Sequence, residues 1–413
     1  MKRAKLSETG TGKEIKDPVN PLEGVWMLPG FGNTGVVETT DGIVLVDVPG
    51  YRWIGRMMEM LREKLDGPVH TIFLTHGHLD HALTLDTVFE EAAKKGYPGP
   101  RVIAQRNLVK RFNRYRMLYG YHDHINRIQF AVPAGVSAFP LPGRYPDIIF
   151  DQSLSLSVGG LDFHAYYALG ETDDALWVWV PEKKTVFAGD LIVMGMPNIG
   201  NPFKVQRFAL EWAEGLEAIV AKEPEILIPG HGPVTQGKEK IRQQLLTVSK
   251  ALRYLHDEVV KRLNAGMWYE DILHEVDLPE DLKNSEYLTP VYGCPKFVVH
   301  GLLRQYTGWY DGNPSNLFPP KKIEIQKEIL SLTGKEAVIK KAVDLKENGQ
   351  TAMALQFVDM ALAIETDQEE EKKLHFLKGE LLGIMGDNET SYIARNIFYN
   401  SHNEEMKLAG VEK

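Results

Sequence analysis

Three histidines and one aspartate fall within six positions in Thr75-His76-Gly77-His78-Leu79-Asp80-His81-Ala82, and no other stretch of the chain sets three histidines so close to a carboxylate. Imidazole nitrogens and carboxylate oxygens are ligands for divalent cations such as zinc. His76 and His78 are two residues apart, so in an extended or sharply turning backbone their side chains point the same way and can share one cation. Asp80 and His81 follow at once and face a second position beside the first. The competing reading, solvent-facing loop histidines with an aspartate cap, suits a lone histidine better than this cluster.

The elements that must position these groups are legible around them. The apolar run Val69 to Leu74, rich in β-branched and aromatic residues, predicts a buried strand that delivers the histidines at its end. Leu85, Val88, Phe89 and Ala92 predict a helix that closes near Gly96. Upstream, residues 24–29, 34–39 and 43–47 read as strands with a hairpin turn at Thr40-Asp41-Gly42, and Tyr51 to Leu65 has helical spacing. Downstream come a strand over Arg101 to Ala104 and a basic helix to about Gly120. The stretch Tyr121 to Pro146 reads as irregular, a lid or wall over the site. It holds His122 and His124, which repeat the HxH spacing and could ligate, donate protons or simply line a pocket.

A second half repeats the pattern. Strands near 153–158 and 161–167 precede Gly170-Glu171-Thr172-Asp173-Asp174. The apolar run 175–180 turns through Pro181 to Lys184 into the strand Thr185 to Ala188, which ends at Gly189-Asp190. A helix over Gln206 to Ala221 and the strand Ile226 to Ile228 lead to Pro229-Gly230-His231-Gly232. Strand ends again carry the carboxylates and a histidine, and the glycines beside them allow sharp turns. Strands alternating with helices predict a layered α/β fold.

With 413 residues and 43% hydrophobic content, the chain can bury a large core in two or three domains. No apolar run approaches a membrane span of about 20 residues. Residues 1–20 read as a flexible polar tail without the apolar centre of a secretory signal. Together with the single cysteine, Cys294, these features predict a cytoplasmic protein without an internal disulfide. A formal charge of −9 argues against a nucleic-acid groove, which needs clustered basic residues. The local run Arg106, Lys110, Arg111, Arg114 and Arg116 reads as a solvated basic helix face, or one that attracts an anionic substrate. Beyond residue 240 the pattern turns helical. Segments 335–347, 351–364 and 372–385 carry alanines at close-packing positions and suggest one and a half TPR-like units, too few to stand alone, so that a partner subunit or an intramolecular cap must cover the open face.

Taken in order, HGHLDH, Gly189-Asp190 and Pro229-Gly230-His231-Gly232 resemble the metallo-β-lactamase superfamily over roughly residues 20–240. The resemblance implies an αβ/βα sandwich with two metals at one edge. Most members carry histidine where this chain has Glu171, and a glutamate there resembles the alkylsulfatase branch. Tyr306 to Leu317, containing GWYDGNPSNL, is similar to the GWxDGNPANL signature of the alkylsulfatase dimerisation domain. Ala394-Arg395-Asn396-Ile397-Phe398-Tyr399 is more loosely similar to its closing WRN-plus-tyrosine segment. The implied domains are a catalytic one over 21–240 and a helical dimerisation domain over 241–413, without the sterol-carrier-like third domain of longer alkylsulfatases.

Carried over by position, His76, His78 and Glu171 hold one metal, Asp80, His81 and His231 hold the other, and Asp190 bridges them, where alkylsulfatases have glutamate. The expected cofactor is a pair of divalent ions, zinc first, with manganese or iron tolerated. Two divalent cations against Asp80, Glu171, Asp190 and a bridging hydroxide sum to zero, so protein cations must help draw in an anionic ester. Lys204 and Arg207, in a segment that starts near Asn198, are the candidates and match the segment that holds the sulfate in the family. The implied reaction is attack of a metal-bound hydroxide on a sulfate ester, with Asp80 and Asp190 central to catalysis. Alkylsulfatases protonate the leaving alcohol with a histidine between the last two ligands, and this chain has none there. His122, His124 or a tyrosine is then the acid, or the leaving group needs none. Alternatives are a lactone, thioester or phosphoester hydrolase on the same site, or a non-catalytic TPR-like assembly protein.

Overall fold

A computed structural model describes residues 17–133, 135–364 and 367–411. The first sheet contains β1 (Val19–Leu22), β2 (Val25–Leu28), β3 (Thr34–Thr39), β4 (Gly42–Val46), β5 (Val69–Leu74), β6 (Arg101–Gln105) and β7 (Ile148–Phe150), side by side in chain order. Pairing is antiparallel through β4 and parallel from β4 to β7. The second sheet contains β8 (Ser153–Val158), β9 (Leu161–Tyr167), β10 (Leu176–Val180), β11 (Thr185–Gly189), β12 (Ile226–Pro229) and β13 (Thr235–Gln236), adjacent in order with only β11 and β12 parallel.

The period-two alternation of side chains builds four layers from these sheets. On the first sheet Val44, Val46, Phe73 and Ile103 face the second sheet, where they meet Phe163, Val178, Val180, Phe187 and Ile228. Their neighbours Ile43, Leu45, Ile72 and Val102 face the other way, against α1 (Tyr51–Lys64) and, beyond the short α2 (Leu79–Ala82), α3 (Leu85–Lys95). Phe73 and Phe163 stack across the interface with ring centroids 6.0 Å apart. At Gly35 a Cβ would fall 2.3 Å from Phe187, so the strand needs glycine for the sheets to close. The expected αβ/βα sandwich is therefore present.

Two expectations change. The stretch after α4 (Asn107–Met117) is irregular only in its second part: Tyr119–Gln129 is a helix, α5, with His122, Ile125, Asn126 and Gln129 buried, and from Phe130 to Pro146 the described residues form no helix or strand. That i, i+3, i+4, i+7 face is helical, but three of its four members are polar, so apolar spacing does not reveal it. Of the expected N-terminal tail, Val19 and Asn20 belong to β1, and residues 1–16 lie outside the described ones.

The helical region also divides differently. After α6 (Ala209–Val220), the long α7 (Lys238–Asn264) packs Ile241, Leu245, Leu252 and Val259 with Trp177, Trp212 and Leu227 on the outer face of the second sheet. α8 (Tyr269–Glu275), α9 (Glu280–Lys283) and α10 (Pro295–Tyr306) join the same core. One compact unit therefore holds residues 17–123 and 137–307, and its edge in space falls near 307 rather than 240. The other holds 308–411 with 124–136. It is built from α11 (Lys322–Thr333), α12 (Lys335–Glu347), α13 (Thr351–Ala361), α14 (Gln368–Asn388) and α15 (Tyr392–Leu408). Gly386 lets Tyr399 lie against α14, since a Cβ would fall 2.5 Å from its ring, and the buried Asn396 donates to the Gln129 carbonyl at 2.9 Å.

Candidate metal centre

The expected ligands converge at the ends of strands β5, β9, β11 and β12. His76 and His78 leave β5 on the turn into α2, and Asp80 and His81 sit in α2 itself. Glu171 lies in the loop between β9 and β10, Asp190 directly follows β11, and His231 follows β12. His76, His78, Glu171 and Asp190 form one group, and Asp80, His81 and His231 another. Within each group one donor atom per residue lies within 4.8 Å of all the others.

In the first group His76 Nε2 is 2.9 Å from His78 Nδ1 and 3.5 Å from Asp190 Oδ2. In the second, His231 Nε2 lies 3.3 Å from both His81 Nε2 and Asp80 Oδ2. Asp190 reaches both, with Oδ1 3.3 Å from His81 Nε2 and Oδ2 3.5 Å from His231 Nε2. Two nitrogens bound tetrahedrally to one zinc ion at about 2.0–2.1 Å lie about 3.3 Å apart, so the spacings suit shared cations. The buried Asp190 Oδ1 has no hydrogen-bond partner among the described residues, as expected of an oxygen meant for a metal. Gly230 passes so close that a Cβ there would fall 1.9 Å from that oxygen. The residues present therefore fit divalent metal.

The charge preferences of these side chains follow from burial and their mutual contacts. Burial pushes the Asp190 carboxyl up to about 7 against the pull of His231 and His81, and holds His76 down to about 3. At His81 burial works against the charge, but Asp190, Asp80 and Asp47 outweigh it and raise the imidazole to about 9. His231 rises well above its usual value, despite burial, through Asp190 and Asp80. The carboxylates of Asp80 and Asp190 thus favour positive charge at His81 and His231, as they would favour a cation between them.

Sequence reasoning missed the residues that hold these ligands. Asp47, just past β4 at φ 68°, accepts from Thr75 N at 2.6 Å and Thr75 Oγ1 at 2.7 Å, and lies 2.8 Å from His81 Nδ1. A proton on Nδ1 then donates to Asp47 and leaves Nε2 facing the centre. Asn33 donates from its backbone to the Gly230 carbonyl and from its side chain to those of Pro229 and Gly232, which clamps the His231 turn. Asp174 accepts from Gly77 N, between His76 and His78, at 2.7 Å and pairs with Arg111 at 2.5 Å. Arg111 is buried, not on a solvated face, because its partners Asp173 and Asp174 follow Glu171. The aspartate closing the buried run Ile43 to Val46 was a readable signal for Asp47. Asn33 and Arg111 had none.

The candidate substrate-binding residues separate. Arg207 is buried and donates through Nη1 to Glu171 Oε1 at 2.6 Å and to the Asn198 carbonyl at 2.5 Å. Asn198 Nδ2 donates to the same Glu171 oxygen at 3.2 Å. Both therefore contact a candidate ligand directly. Burial works against the Glu171 charge, but Arg207, ahead of Asp190 and His76, outweighs it and brings the carboxyl to about 2. Lys204 feels Arg207, Glu171 and Asp80, and burial, with Arg207 adding to it, brings its ammonium down to about 7. His122 is buried against Phe139, stacked at 4.9 Å, and Tyr115, edge-on at 5.0 Å. His124 is exposed on the same helix. Two positions apart on a helix is about 200°, so the second HxH cannot grip one ion as the first can, and neither residue belongs to a metal-competent group among the described residues.

Residues 27–231 match the family model for the metallo-beta-lactamase superfamily, and residues 269–407 match that for alkyl sulfatase dimerisation. A linear primary-alkylsulfatase of a Pseudomonas species is 24% identical over 355 residues, covering 80% of this chain and 66% of that protein. The alkyl/aryl-sulfatase BDS1 of Saccharomyces cerevisiae is 23% identical over 91% of this chain and 61% of its own length. The solved structure of the stereoselective inverting sec-alkylsulfatase Pisa1 from Pseudomonas sp. shares the fold, with a TM-score of 0.83 at 20% identity over 97% of this chain and 66% of that one. This chain thus spans less than two thirds of the length of these relatives. With both family models matched in this order, the chain belongs to the metallo-beta-lactamase superfamily, in its alkylsulfatase-like branch.

Proposed function

We propose that this protein is a dinuclear metal-dependent hydrolase of the alkylsulfatase type, acting on a small anionic sulfate ester. The observation that carries this reading is the convergence of seven donors from separate chain segments on two adjacent positions, with Asp190 within 3.5 Å of imidazole nitrogens on both sides. His76, His78 and Glu171 would hold one divalent ion, Asp80, His81 and His231 the other, and Asp190 both. When bound, such ions, zinc first and manganese or iron as alternatives, supply Lewis acidity that activates water and stabilises negative charge on the ester oxygens.

The chain's own groups orient and select. Asp47 fixes the His81 tautomer, Asn33 fixes the His231 turn, and Asp174 fixes the His76–His78 turn. Asp80 and His231 keep side-chain exposures of 23% and 24% while His81 has 0%, so substrate enters on their side. Lys204 is the cation assigned to the ester's anion, since Arg207 is committed to Glu171. A homodimer is supported by the dimerisation match and by apolar side chains displayed on the helical unit, where Trp309 is 77% and Phe318 89% exposed. Among the described residues no helix is long and apolar enough to cross a membrane. The cytoplasm as compartment rests on the single cysteine.

A panel of alkyl sulfates, lactones, thioesters and phosphoesters tests the reading, with metal content measured in parallel and Glu171→Gln as control. Sulfate release that chelation abolishes is expected. Turnover of the other esters alone would change the bond assignment, and a protein that retains no metal would make it a scaffold.

A further inference from the structure

We infer that Arg207 is a positioning residue that makes Glu171 behave as a neutral, histidine-like ligand, so that Glu171 and Arg207 together occupy the place of one side chain. The inference rests on the proposed reading that Glu171 holds a metal.

Both members are buried, with side-chain exposures of 3% for Arg207 and 8% for Glu171, and their contact is 2.6 Å. Such a pair is isolated from bulk screening, and the guanidinium must be counted with the centre. Two divalent cations against three carboxylates and one hydroxide leave no net charge, and Arg207 returns the total to one unit positive, the value a histidine at position 171 would give. Geometry adds to charge. Arg207 Nη1 also donates to the Asn198 carbonyl at 2.5 Å, and Asn198 Nδ2 donates at 3.2 Å to the oxygen that Arg207 holds. Glu171 Oε1 is therefore occupied by two donors, and Oε2 is the atom left to face the centre. Partners of this kind fix a ligand's orientation as the residue bound to the other imidazole nitrogen fixes a metal-bound histidine.

The segment bearing Asn198 and Arg207 is itself held from α10. A Cβ at Gly200 would fall 1.5 Å from the Phe297 carbonyl, and Gln206 Nε2 donates to the Gly301 carbonyl at 3.0 Å. The support is rigid. It explains how an extra carboxylate can sit among carboxylates without repelling a second copy of its own charge.

The test is a double-mutant cycle on zinc affinity, measured on metal-stripped full-length protein by competition with a chromophoric chelator. Arg207→Met alone loosens zinc by about 10–100-fold, as loss of an outer-shell partner does. Glu171→His alone also loosens zinc, because the buried guanidinium is then uncompensated. Adding Arg207→Met to Glu171→His tightens zinc, so that the same substitution acts with opposite sign in the two backgrounds. Arg207→Lys, which keeps the charge with fewer donors, retains more affinity than Arg207→Met and serves as the folded reference if the methionine variant fails to fold. Equal effects of Arg207→Met in both backgrounds, or unchanged zinc affinity with a raised KM for sulfate ester, would overturn the inference and return Arg207 to the substrate. Wild-type protein that binds no zinc, manganese or iron would instead overturn the reading on which it rests.

Discussion

Replacing Asp174 with alanine should destabilise the protein more than any exposed substitution, because it strands a buried cation. Arg111 and Asp174 have side-chain exposures of 4% and 0%, and their contact at 2.5 Å is the central link between α4 and the loop that carries Glu171. Breaking a buried pair from one side costs about 3–5 kcal/mol. Asp173 also contacts Arg111 but is 42% exposed, so it offsets part of that cost and favours the lower end. Loss of the Gly77 N–H acceptor adds about 1 kcal/mol. The sum is about 4 kcal/mol, which for a unit of this size lowers Tm by about 7 °C. Calorimetry of the metal-free protein reads it directly. Removing both charges, in Asp174→Leu with Arg111→Met, should cost less than Asp174→Ala alone, since no charge is then left buried without a partner. A loss under about 1 kcal/mol for Asp174→Ala, or a double variant worse than the single, would refute the reasoning.

Other perturbations separate the remaining contributions. Gly230→Ala forces a Cβ to within 1.9 Å of Asp190 Oδ1, so the variant should fold, by circular dichroism, yet lose bound metal; full retention of metal would contradict the close approach. Asp47→Asn keeps a hydrogen-bonding side chain but loses the charge facing His81 Nδ1, and zinc affinity should fall by about 10–100-fold. Burial brings His122 down from 6.5 to about 4, so the unfolded chain takes up that proton first as pH falls. Stability is lost between about pH 6.5 and 4, by up to about 1.4 kcal/mol per unit, and levels off below. His122→Leu should flatten that slope in urea titrations, and parallel curves for variant and wild type would exclude it. Phe318→Glu on the helical unit should yield monomers by light scattering if a second copy covers that face.

What could be read from the sequence was local. A buried apolar run that ends in a donor flanked by glycine is visible within ten residues, and that signal located His76, Asp190 and His231 with the strands that carry them. Ligand supports are different in kind. His81 and Asp47 are 34 positions apart, Arg111 and Asp174 63, and Asn33 and the Pro229 carbonyl 196, so only the packed sheets bring them together. Arg111 shows the consequence: a run of five cations in eleven residues reads as one solvated face, yet helical geometry turns one of them inward, where two aspartates meet it. The displaced boundary has a related cause. Composition turns helical at 240, but a change of secondary structure is not a change of core, and Leu245, Leu252 and Val259 of α7 belong to the same hydrophobic cluster as Trp177 of β10. Arg207 combines both effects. Its position after Asp190 in sequence reads as a hand for an anionic substrate, whereas the fold brings that segment back onto Glu171, 36 residues earlier, and pairs the guanidinium with that carboxylate.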